Sequence, residues 1–178
     1  AMVAAMANGM LHAGVKGQSE IWDLPSSILH ELNTALRPRL IDWMFTAMSL
    51  SIFKAGEKRF QFSNAGLPYP MVKRGAKAWE LELNGLPLGA IDYAEYTELS
   101  VDLEAGDFVV FYSYGITEAT NGIEEMYQME RLIKVLQQTD SCLSAQEIAN
   151  RILQDVALFV GDVEQGDDIT LVVVRVEL

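Results

Sequence analysis

Apolar residues fall at helical spacing near both ends of the chain and into alternating or continuous runs through its middle. Residues 1–11 read AMVAAMANGML. This stretch is rich in helix formers with no capping residue in front of it, which predicts a helix entered part-way, with a small-residue face at Ala4, Ala5 and Ala7. Ile28, Leu29, Leu32, Ala35 and Leu36 share one face at helical spacing and predict a helix over 25–36. Pro25 suits its first turn and Pro38 ends it. The period then changes. Residues 44–53 read as a long strand, 54–58 as a turn through Gly56, and 59–63 as the returning strand. Phe60 and Phe62 point to one face of it and Arg59, Gln61 and Ser63 to the other. The segment WELEL at 79–83 alternates in the same way. Two more strands are expected over 93–103 and 108–112, joined by a turn at 104–107. The second is apolar throughout, the pattern of a strand buried on both faces. Helix returns at 124–137 and at 145–160. In the latter, Ala145, Ile148, Ala149, Ile152, Val156 and Val160 recur behind a capping box formed by Ser144 and Glu147. A Val-rich strand at 169–178 closes the chain. Helices, hairpin-connected strands, helices and a strand, in that order, define an α+β layered domain with a largely antiparallel sheet. With no repeat, low-complexity tract or linker, residues 1–178 read as a single domain.

Composition narrows the function. The 178 residues suffice for one domain with a sizeable core. Half are apolar and 21% are charged, which excludes a disordered chain. Lys and Arg total 13 against 25 Asp and Glu, a formal net charge of -12. That balance argues against a nucleic-acid partner and against an anionic membrane surface. No apolar run approaches the roughly 18 residues of a membrane span. The single cysteine, Cys142, excludes an intrachain disulfide and a cysteine-rich metal site. The first residue is Ala1 rather than Met, and no charged segment of a signal peptide is present.

The common catalytic templates fail. His12 and His30 are not part of H-E-x-x-H and read as surface or packing histidines. Ser113 lies in Y-S-Y-G, which is not the G-x-S-x-G nucleophile elbow. There is no P-loop and no G-x-G-x-x-G. Cys142 has no basic neighbour to lower its pKa and reads as a buried or idle thiol. Carboxylates at turns remain. Residues 161–170 read GDVEQGDDIT, with Asp167 and Asp168 directly before the last strand, which is expected to be buried. A loop of acids is ordinarily a solvated face. Adjacent carboxylates at a strand's mouth repel each other unless they are solvated or share a cation, and oxygen donors of this kind suit Mg²⁺ or Mn²⁺. Both readings stay open on the residues alone.

Five segments, in order, resemble one family. Phe45-Thr46 before a strand is similar to an F-T-strand element. NAGLPYP at 64–70 resembles N-A-G-H-x-P-P, and NGLPLG at 84–89 resembles G-x-P-L-G. GDFVVFYSYGITEATN at 106–121 follows G-D-x-(apolar)-Y-(S/T)-D-G-(V/I)-T-E-A. DDIT at 167–170 is similar to a closing D-D-(I/M)-T. Together they resemble the PPM (protein phosphatase 2C-like) superfamily, in the bacterial branch named after stage II sporulation protein E. The resemblance implies an α/β/β/α sandwich of two largely antiparallel sheets with helices outside. It implies a cytoplasmic, metal-dependent serine/threonine protein phosphatase in which two Mn²⁺ or Mg²⁺ ions activate a water, so that no protein nucleophile is needed. It also implies a phosphorylated regulatory protein of the anti-sigma-factor antagonist type as substrate, and a sensor or receiver domain upstream in the parent protein.

The departures from the family pattern bear on the metal site. The family's metal-binding Asp in S-D-G corresponds to Tyr114, and the His of N-A-G-H to Leu67. The family's first metal motif normally precedes the alanine-rich helix in which this chain begins, so an N-terminally incomplete domain is expected. Asp167 alone carries over as a ligand, with Asp168 at the second acidic position. Gly115, Glu118 and Asn121 match the pattern as residues that shape the loop, and Asp107 as a turn former. One ligand cannot hold two ions, so the chain as given is expected to be inactive or very weakly active. Two readings follow: an incomplete or degenerate form of the phosphatase, or a pseudophosphatase that binds a partner without catalysis. A third is an α+β domain with solvated acidic turns.

Overall fold

The computed structural model describes residues 6–11, 24–41, 44–54 and 58–177. In chain order its elements are α1 (Pro25–Leu36), β1 (Met48–Lys54), β2 (Arg59–Ala65), β3 (Met71–Arg74), β4 (Lys77–Glu80), β5 (Leu99–Asp102), β6 (Phe108–Tyr112), α2 (Tyr114–Thr117), α3 (Met129–Gln138), α4 (Ala145–Val160) and β7 (Leu171–Arg175). Residues 6–11 are also helical. The chain divides into two compact units, one of Ala1–Leu67 with Leu83–Asp102 and one of Pro68–Glu82 with Leu103–Leu178. Among the described residues no helix is long and apolar enough to cross a membrane.

The first unit holds an antiparallel sheet in the order β1-β2-β5. Helix α1 has Pro25 in its first turn, and Ile28, Leu29, Leu32 and Leu36 are buried. These four form a core with Ala7, Ala65 and Leu88. Asn33 is the polar member of the buried face. Its Oδ1 accepts from Gly89 N at 2.7 Å and its Nδ2 donates to the Ile91 carbonyl at 3.0 Å.

Three expectations change in this unit. The strand expected over 44–53 begins at Met48, and Thr46 makes only an isolated bridge to Leu88. The strand expected over 93–103 pairs only at Leu99–Asp102. In β2 both faces are buried, not one. Phe60 and Phe62 are fully buried and stacked with ring centroids 5.5 Å apart. Gln61 and Ser63 are buried on the opposite face, where Gln61 Nε2 donates to Ser100 Oγ and Ser63 Oγ donates to the Thr97 carbonyl. These hydrogen bonds to residues distant in sequence make that polar face tolerable away from water. Ala4, Ala5, His12 and Gly56 lie outside the described residues.

The second unit holds an antiparallel sheet in the order β4-β3-β6-β7. β6 is central and buried along most of its length, as its unbroken apolar run requires. Its Phe108, Val110 and Tyr112 join Ile116, Leu132, Leu136, Ile148, Ile152 and Val156 in one core. Helix α4 opens on Ser144, whose Oγ accepts from Glu147 N, while the Glu147 carboxylate accepts from Ser144 N at 2.7 Å.

Here too the extents differ from expectation. WELEL contributes only its first two residues, because the strand is Lys77–Glu80. The helix expected over 124–137 runs over Met129–Gln138. Glu124 and Gln128 have positive φ, a left-handed geometry that no α-helix accommodates. The last strand is not buried: β7 sits at the sheet's edge with Val172 half exposed. The turn at 104–107 is not a hairpin, because β5 and β6 belong to different sheets. Buried Asp107 organises that turn by accepting from Glu104 N at 2.8 Å and pairing with the Arg74 guanidinium at 2.7 Å.

Candidate functional site

The pairing of Tyr112 with Leu171 aligns the ends of β6 and β7, so the segments that follow one and precede the other meet. Ser113 joins them. Its backbone N–H donates to the Thr170 carbonyl at 3.0 Å, its Oγ donates to the Asp168 carbonyl at 3.0 Å, and Thr170 N donates back to Ser113 Oγ at 2.9 Å. Gly115, the next residue but one, is buried against the Asp168 backbone so closely that a Cβ there would collide with the Asp168 carbonyl. YSYG and DDIT, 55 residues apart at Ser113 and Asp168, are thereby one structural feature. Along the sequence Ser113 reads only as a failed nucleophile candidate, and its role in joining the two segments is not visible there. No sequence pattern short of the strand pairing itself could have shown that.

Asp167 and Asp168 are both exposed. One Asp167 carboxylate oxygen accepts from Asp168 N at 2.8 Å, and the Asp167 carbonyl accepts from Gln165 Nε2 at 2.6 Å. Tyr114 begins α2 with its side chain 44% exposed, leaving a phenol where the family pattern has a carboxylate. Glu118 N donates to the Tyr114 carbonyl at 2.8 Å and ends this single helical turn. Asn121 Oδ1 accepts from Ile123 N and Glu125 N at 3.1 and 3.0 Å, folding the loop that follows. Just before Ser113, Tyr112 shares a hydrogen bond of 3.4 Å with Glu80. Burial raises the Glu80 pKa, and burial chiefly, with the Glu80 charge adding, raises that of the Tyr112 phenol.

Among the described residues no group of three or more His, Cys, Asp and Glu side chains could hold an ion. The two adjacent carboxylates are oxygen donors of the kind a divalent ion takes, but with a phenol at Tyr114 they do not by themselves complete a binuclear centre, which needs several oxygen donors on each ion. His30 is exposed on α1, and Cys142 is a free, exposed thiol, which excludes the buried alternative.

Of the other three family-like segments, residues 45–46, 84–89 and the first four residues of NAGLPYP (64–67) lie in the first unit, and residues 68–70 belong to the second. Asn64 Oδ1 accepts from Leu67 N at 3.2 Å, while its Nδ2 donates to the carbonyls of Leu67 and Leu83 at 2.9 and 3.1 Å. Gly66 has φ +87° and packs on Pro87, and a Cβ on Gly85 would strike the Asn64 carbonyl. Thr46 bridges Leu88. Leu67 is half-buried in this turn and offers no ligating atom where the pattern has His.

This combination of antiparallel sheets, flanking helices and motif-built turns is that of PP2C-type phosphatase domains. The SiaA-PP2C domain of Pseudomonas aeruginosa superposes with a TM-score of 0.84 at 19% identity, covering 99% of this chain and 70% of that one. The phosphatase domain of the cell fate determinant SpoIIE from Bacillus subtilis, Mn-presoaked, gives 0.64 at 22% identity, covering 98% and 73%. The family model of stage II sporulation protein E (SpoIIE) matches residues 1–177, and the chain belongs to that family. Phosphoserine phosphatase RsbU of Bacillus subtilis (strain 168) is 29% identical over 176 residues, which is 97% of this chain and 51% of RsbU. The chain thus spans about half the length of that relative.

Proposed function

We propose that the protein containing this chain is a serine/threonine protein phosphatase acting in the cytoplasm on a phosphorylated regulatory protein of the anti-sigma-factor antagonist type. Membership of the SpoIIE family and the similarity to a phosphoserine phosphatase support the reading. The observation that carries it is the junction of Ser113, Gly115 and Asp168, which brings the family's two aspartate-bearing segments together at the ends of β6 and β7. We assign Asp167, with Asp168 beside it, as this chain's contribution to binding Mn²⁺ or Mg²⁺. Such ions supply positive charge for a phosphoryl group and lower the pKa of a bound water. The described residues do not complete that centre, so activity requires further donors outside them.

The second reading is a pseudophosphatase that recognises its partner without hydrolysis, and Tyr114 favours it. The two are separated by assaying the full-length protein on an aryl phosphate and a phosphoserine protein, with MnCl₂ and with EDTA. Turnover that requires the metal supports the phosphatase. Its absence on both substrates removes that reading and leaves the binding module.

A further inference from the structure

A cavity of about 590 Å³ lies wholly within the second unit, between α4, the loop that follows it and the turn after α2. Its apolar wall is the face of α4 carrying Leu153, Val156 and Val160. Leu153 is 40% exposed and lies outside the core that α4 helps to build. The charged groups lining the cavity are Glu118, Glu164 and Asp167, all exposed, and no lining residue is basic. The volume falls in the range of sites that take a ligand or a few anchoring side chains. An apolar trough bordered only by negative charge selects against acidic and purely polar occupants, because each would bury unpaired charge or leave the apolar wall wet.

We propose that this cavity is a docking groove for a basic amphipathic segment of a partner protein, which seats an apolar side chain against α4 and sets Lys or Arg against Glu118 and Glu164. Charge complementarity and the open apolar face of α4 identify the occupant. The cavity shares Gly115 and Asp167 with the candidate site, but docking against α4, Glu118 and Glu164 needs neither a metal nor a phosphate and so does not rest on the phosphatase reading.

The test is fluorescence anisotropy on the full-length protein. The probe is a labelled helical peptide with leucines along one face and lysines flanking them, and its control carries glutamates in place of the lysines. The lysine peptide is expected to bind saturably and the glutamate peptide not to bind. The Glu118→Lys/Glu164→Lys variant is expected to weaken binding about tenfold or more. Ala157→Trp, an exposed position lining the cavity, leaves every charge in place and fills the groove. It is expected to weaken binding comparably. Glu130→Lys/Glu177→Lys changes the net charge identically at exposed positions outside the lining, and is expected to change affinity by less than about twofold. Equal loss in both charge variants, retention of binding in Ala157→Trp, equal binding of the glutamate peptide, or no saturable binding overturns the proposal.

Discussion

The carbonyl of Asp168 occupies the space that a side chain on Gly115 would need. The obstacle is a backbone carbonyl that also accepts from Ser113 Oγ, not the far end of a flexible side chain. Gly115→Ala is expected to displace the Asp167–Asp168 turn and to cost about 1–3 kcal/mol, the range for overpacking a close contact. Denaturant unfolding of the variant against the native protein measures it; an unchanged midpoint would show that the turn yields freely.

Asp155 on α4 accepts from the Tyr127 hydroxyl at 2.8 Å and from Arg131 Nε at 2.7 Å. The hydrogen bond from Arg131 holds its carboxyl below the usual range. A depressed folded-state pKa contributes stability above the unfolded value of about 3.9, lost as pH falls through the folded value. Asp155→Ala is therefore expected to cost about 1–3 kcal/mol at pH 7 by leaving a buried hydroxyl and a guanidinium unmatched. The difference from native should shrink as pH falls below about 4. Urea unfolding at a series of pH values checks both the size and the sign.

Much of this architecture was legible along the chain, and the failures share a cause. Helices α1 and α4 carried whole apolar faces, and Ser144 with Glu147 announced the start of α4. β3 escaped notice because it is four residues long and contains Lys73, which reads as surface. Lys73 is in fact fully buried, its Nζ donating to the Gly75 carbonyl at 2.5 Å. Gln61 and Ser63 likewise read as solvent-facing until their partners from distant segments, Ser100 and Thr97, are in place. Burial of a polar side chain depends on what pairs with it, and pairing is not local. The candidate site shows the same limit. DDIT and YSYG could each be recognised by resemblance, whereas the contact between them exists only through the strand register.

In the first unit, Asn33 joins α1 to the 89–91 segment through both ends of its amide. Asn33→Ala leaves the Gly89 N–H and the Ile91 carbonyl without these partners at a site 1% exposed. A loss of about 1–3 kcal/mol is expected. Asn33→Leu should fare no better, because added apolar volume does not satisfy the two backbone groups. Thermal unfolding of both variants distinguishes this from a role in packing alone.

Tyr114 stands between Ser113 and Gly115, the two residues that contact the Asp168 backbone. Tyr114→Asp in the full-length protein is expected to tighten Mn²⁺ binding by about tenfold or more, since a carboxylate is the better donor for a hard cation. Calorimetric titration with MnCl₂ reports this directly. Equal affinity in native and variant proteins would mean that the position does not face the ion.

The Asp167–Asp168 turn, joined to the YSYG segment, is proposed to serve a phosphoprotein phosphatase. The direct measurement is phosphate release from a phosphoserine protein by the full-length native protein and its Asp167→Asn variant, each with MnCl₂ and with EDTA. Native release that EDTA abolishes and that Asp167→Asn reduces about tenfold or more is the predicted result. No release, or release indifferent to both EDTA and the substitution, would contradict it.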